Sequence, residues 1–195
     1  SGRHDFTPSI NGICGLHPSG AVRSYVFSFK EWEHVQALQR LANSDSIKIT
    51  QNGTYDMTYY FRWGMPLKNW YFDTFNMFHA WYAELPRTLN FITSFMLRDV
   101  EYWKDESSGD YMDYCRYNAK DCFTTLHCCL AILLEWPEWA QRNYAIAFPY
   151  QYPLIKAGMH GIRLDETVRK QFQTEAQSQI DESLTRLQYI LGDPD

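Results

Sequence analysis

The stretch INGICGLHPSGAVRSYVFSF, residues 10–29, holds two short apolar runs on either side of His17-Pro18-Ser19-Gly20. A turn cluster between two apolar runs predicts a β-hairpin. KEWEHVQALQRLAN follows, with apolar residues at 32, 35, 38, 41 and 42. That spacing lines one face of a helix. SIKIT and NWYFDT are short enough, and β-branched or aromatic enough, to be strands. Between them NGTYDMTYYFRWG predicts a loop that enters a helix and stops at Gly64. Helices are predicted over 74–82 and 87–97, the second introduced by Pro86, with WKDESSGD a polar loop after them. A long helix over 110–135 is ended by Pro137.

The tail has a different character. Gly158 and Gly161 punctuate it, and Asp165 is placed to cap a helix. Val168, Phe172, Ala176, Ile180, Leu184, Leu187 and Leu191 then recur every three or four residues. Strands first and strand–helix alternation later predict an α/β layer architecture with a mixed sheet, plus a C-terminal helical segment. The division expected is a domain over 1–150 and a helical segment over 151–195.

The chain has 195 residues, enough for one domain with a substantial core. Seven Trp, fourteen Tyr and twelve Phe argue against disorder. The net charge of −5 argues against a large surface that wraps nucleic acid, though not against a small site that holds a few nucleotides through metal ions. The five cysteines are odd in number and form no CxxC pair, which predicts reduced thiols and a cytoplasmic setting. No long uncharged apolar run predicts a membrane span.

Two carboxylates stand out. Asp56 follows a strand in TQNGTYDMTYYF, and Asp121 lies in YNAKDCFTTL, four residues after Tyr117. Positions i and i+4 share one face of a helix. Phosphoryl transfer with hard cations needs carboxylate oxygens converging from several elements, and a nearby tyrosine can orient the attacking water. Either motif alone reads more often as a cap or as packing. The aromatics Tyr59, Tyr60, Phe61 and Trp63 could stack bases, but at helical spacing packing is the commoner role. Phe123 or Leu126 could wedge a terminal base.

Taken together, ITQNGTYD, YFDTF, LPRTLNFITSFML and YNAKDCFTTL resemble, in order and spacing, the 3′–5′ exonuclease domain of family A DNA polymerases, in particular phage-type ones. The likeness spans about residues 10–170, and MHGIRLDE resembles the passage into the polymerase thumb. The resemblance implies an RNase H-like (DnaQ-like, DEDD) mixed sheet flanked by helices. It implies two divalent cations, Mg²⁺ or Mn²⁺, with Asp121 on the tighter one and Asp56 on the second through water. Tyr117 would orient the nucleophilic water, and Asn52 and Tyr55 would lie beside the substrate strand. Asp73 would be a structural carboxylate near the site. The substrate would be a single-stranded or frayed DNA 3′ end, and a polymerase domain would lie in the same or a partner chain, in the host cytoplasm if phage-encoded.

The chain departs from the family at its first motif, an Asp-x-Glu on the first, central strand. Only SGRHDFTPS precedes the hairpin, and it offers Asp5 without a Glu. Either the chain begins after that motif, with the carboxylates upstream or on another chain, or Asp5 is a degenerate remnant acting as a metal ligand. The polar sequence around Asp5 is unlike a buried central strand, which favours the first. Both imply a weakened or absent metal site in this polypeptide. An inactive DnaQ-like scaffold or DNA-binding module, and an RNase D-like RNA exonuclease, are the competing expectations.

Overall fold

In the computed structural model, the structure describes residues 10–17, 19–98, 100, 103 and 110–192. Asp5 lies outside the described residues, so its expected metal role has no structural counterpart here. The chain divides into two compact units, Ser1–Lys156 and Ala157–Asp195.

The first unit opens with the expected hairpin. Strands β1 (Ile10–Leu16) and β2 (Val22–Ser28) pair antiparallel from Asn11 opposite Phe27 to Leu16 opposite Val22. Gly20, at φ 82°, closes the turn by donating its N–H to the His17 carbonyl. Helix α1 (Trp32–Asn43) buries Leu38 and Ala42. Strand β3 (Lys48–Thr50), helix α2 (Thr54–Arg62) and strand β4 (Trp70–Asp73) follow, with β3 and β4 parallel.

The end of α2 is chemically specified. Gly64 N–H bonds the Phe61 carbonyl, and Met65 N–H bonds the Tyr60 carbonyl. Those two bonds with Gly64 at φ 69° make a Schellman motif. Its apolar clasp is Tyr60 with Met65, both buried in one core cluster.

Helices α3 (Thr74–Trp81), α4 (Leu89–Met96) and α5 (Tyr111–Glu135) match the sequence expectation within one or two residues. The segment after Pro137 carries no sequence-based assignment up to residue 150, beyond which a helical segment is expected. It forms α6 (Glu138–Ala147), a 3₁₀ turn (Phe148–Tyr150) and α7 (Gln151–His160), which runs through Gly158. The boundary between the units falls inside α7.

The architecture is α/β. The strands do not join into one mixed sheet among the described residues. They form two pairs, β1–β2 antiparallel and β3–β4 parallel. Helix α5 packs against β1, β2 and β3. Two cores result. One gathers Met77, Phe78, Ile92, Cys128, Cys129, Ile132 and Tyr144 from α3 to α6. The other gathers Leu38, Met57, Tyr60, Trp70 and Ile155. Each large side chain fully buried in these clusters contributes about 1.5–3 kcal/mol.

In the second unit, Asp165 caps α8 (Glu166–Leu191), its Oδ1 accepting from the Thr167 and Val168 N–H groups at 2.9 and 3.1 Å. No residue of α8 is buried. No helix among the described residues is long and apolar enough to cross a membrane.

Gly12 sets how closely β1 lies on α5. A Cβ there would collide with Asn118 Oδ1 and Cys122 Sγ. Gly12→Ala should therefore lower stability by about 1–3 kcal/mol in chemical denaturation. Adding Asn118→Ala should recover part of the loss, whereas Gly15→Ala, whose Cβ meets nothing, should cost less.

Candidate functional site

The turn at residues 51–53 joins β3 to α2, and a buried carboxylate holds it. Asp73, at the end of β4, has no exposed surface. Its Oδ2 accepts from Thr50 Oγ1 at 2.6 Å and from the Gly53 N–H at 2.7 Å. Its Oδ1 accepts from the Asn76 N–H at 3.0 Å and from Asn76 Nδ2 at 2.8 Å, which caps α3. The Asp73 N–H donates to the Tyr144 hydroxyl at 3.0 Å, and that hydroxyl donates to the Tyr71 carbonyl at 2.9 Å. Burial raises the Asp73 carboxyl from its ordinary range, against the pull of these donors. With four donors on two oxygens, Asp73 is a structural carboxylate beside the site.

Asp56 sits in the first turn of α2, just past that turn. Solvent reaches the residue, and no donor among the described residues bonds its side chain. Crowding by protein on its inner side, and then the Asp73 charge, push it up to about 6.

Tyr117 and Asp121 lie one turn apart on α5, both partly buried. Asp121 Oδ1 accepts from Trp103 Nε1 at 2.7 Å. Tyr117 packs against the first core. Burial pushes the thiol of Cys122, the residue after Asp121, up to about 12, followed by the effects of Cys14, Asp121 and Asp56. Tyr60 stands one turn after Asp56 and donates its hydroxyl to Asn11 Oδ1 of β1 at 3.3 Å. Its own ionisation is pushed far up by burial and then by Asp56.

Asn52 and Tyr55 are exposed beside Asp56, Asn52 in the left-handed region at φ 55°. The Tyr55 ring meets that of Tyr59 edge-on at 5.2 Å, and the Tyr55 hydroxyl accepts from the Tyr59 hydroxyl at 3.4 Å. Of the other aromatics, Tyr60 is core, Phe61 packs on Tyr152 and Trp63 on Phe29. Phe123 is exposed, its ring tilted against that of His127 with centroids 4.0 Å apart, in a recess shared with Ser24, Trp103, Lys120 and Thr124.

Hard carboxylate oxygens are the right donors for Mg²⁺ or Mn²⁺. Their number falls short. Among the described residues no three His, Cys, Asp or Glu side chains group to hold a metal ion. Asp56 and Asp121 do not by themselves make the two-cation site that the sequence reading expected.

Trp103, Cys122 and Asn11 were not foreseen. The signal for Trp103 was present, a tryptophan in an otherwise polar loop. Nothing in the sequence marks Asn11, whose role comes from the strand register. Comparison with known proteins finds no matching family model, no matching curated protein and no matching solved structure.

Asp73→Ala should strip acceptors from Thr50, Gly53 and Asn76 together, at a cost of at least about 3 kcal/mol in denaturant melts. Asp121→Asn should cost far less. Asp56, raised when folded, binds its proton more tightly in the native chain than in the unfolded one. Its contribution is therefore complete below 3.8 and is lost as pH rises through about 6. Melting between pH 4 and 7 should show wild type losing stability relative to Asp56→Asn over that window. Parallel curves would mean that the carboxyl is not perturbed.

Proposed function

We propose that this chain is the 3′–5′ exonuclease domain of a family A DNA polymerase, with an RNase H-like arrangement of its strands and helices. It removes 3′-terminal nucleotides from single-stranded or frayed DNA. The observation that carries the reading is the Tyr117–Asp121 pair, one turn apart and half-buried on α5, with the solvent-reached Asp56 carboxylate in the first turn of α2. Hydrolysis of a phosphodiester needs an oriented water and oxygens that gather positive charge at the leaving group. Tyr117 would orient the water, and the two aspartates would hold part of a Mg²⁺ or Mn²⁺ site. Exposed Asn52 and Tyr55 are free to meet the strand. The polymerase domain would lie in the same or a partner chain.

A second reading has its own support. The lack of a three-ligand group among the described residues favours an inactive scaffold or DNA-binding module of the same fold. A single assay separates them. The chain is incubated with a 5′-labelled single-stranded oligonucleotide and Mg²⁺ or Mn²⁺, beside Asp121→Asn and Asp56→Asn. The exonuclease reading expects ladder-like shortening from the 3′ end, reduced about 100-fold or more by either substitution. Strand binding without shortening in any variant would establish the module instead. RNA shortened in preference to DNA would move the substrate class.

A further inference from the structure

We propose that Trp103 is a positioning residue for Asp121, setting the direction of its carboxylate from outside its own helix; the functional meaning of that aim rests on the exonuclease reading above. Trp103 is 2% exposed, and its ring belongs to the core cluster of α3 to α6. It precedes α5, eighteen positions from Asp121 along the chain. Its indole N–H donates to Asp121 Oδ1 at 2.7 Å.

An aspartate on a helix can occupy more than one staggered χ1 well, and its terminal torsion is broad. A donor anchored in a packed core removes that freedom. The indole ring lies within that close-packed cluster, so its N–H direction is fixed before the carboxylate meets it. The bond is charge-assisted, hence stronger than one between neutral groups. The same contact satisfies a buried indole donor that would otherwise lack water. That second role alone would make Asp121 serve Trp103, not the reverse. The two roles differ in one observable, the freedom of the Asp121 side chain once the N–H is gone.

The test uses the whole chain. Asp121 χ1 is read from Hα–Hβ couplings in wild type and in Trp103→Phe, with thermal melting to confirm folding. The expected result is a single rotamer in wild type and averaged couplings in the folded variant. Unchanged couplings in folded Trp103→Phe would overturn the proposal. If Phe prevents folding, β-(3-benzothienyl)alanine at 103 removes the N–H while keeping the bicyclic shape. A third reading needs no change at Trp103. Deuterium exchange of its indole N–H should be slow in wild type and at least about tenfold faster in Asp121→Ala, and an equal rate would also overturn the proposal.

The oligonucleotide assay is run in parallel. Where it shows shortening, folded Trp103→Phe should lower kcat about tenfold with KM for the strand unchanged. A loss confined to KM would overturn a positioning role. Where wild type shows no shortening but Asp121 is freed by Trp103→Phe, the positioning stands and the exonuclease reading falls.

Discussion

The Asp73 carboxylate is the constraint on which the rest of the candidate site depends. It is fully buried, and it gathers donors from the end of β3, from the turn before α2 and from the first turn of α3. An ionised carboxylate without those donors could not be buried at tolerable cost. With them it fixes three chain segments relative to one another. Its own N–H meets the Tyr144 hydroxyl, which brings α6 into the same arrangement. Thr50 extends it further, since its Oγ1 also accepts from Trp70 Nε1 at 2.8 Å. The position of Asp56, three residues beyond Gly53, is inherited from that set of bonds.

Helix α5 plays the matching part on the other side. It is long because no proline or glycine interrupts Tyr111–Glu135, and it ends where Trp136 and Pro137 leave helical geometry. One stripe, Cys128, Cys129 and Ile132, is core. Nearer its start, Asn118 and Cys122 face Gly12 of β1. That close approach lets one helix lie against strands of both pairs. The two pairs are thereby held on a common support without a ladder between them among the described residues.

Much of this was legible in the chain. The hairpin announced itself through His17-Pro18-Ser19-Gly20, and α5 through its uninterrupted run to Pro137. Asp165 read correctly as a cap because a cap is a local event. What was not legible is what depends on register and on distant contact. Whether four strands make one sheet depends on edges meeting in space, and alternation along a strand says nothing of that. Helix α6 has no counterpart in the sequence analysis; Pro149 sits in the 3₁₀ turn and Pro153 in the opening turn of α7, where a proline is tolerated. Gly158, expected as punctuation, is helix interior. The candidate site was half legible. The sequence singles out Asp56, Tyr117 and Asp121, but not the Trp103 donor or the strand residue Asn11 that meets Tyr60.

The three aspartates divide the labour by environment. Asp73 has four donors and no water, so its oxygens are committed to the fold. Asp121 is half-buried with a fixed indole donor on one oxygen, which constrains where its carboxylate can aim. Asp56 is reached by solvent and has no described donor, so its oxygens are the least committed of the three. A like charge at Asp73 raises its proton affinity. A cation placed against Asp56 would act with the opposite sign and displace that proton.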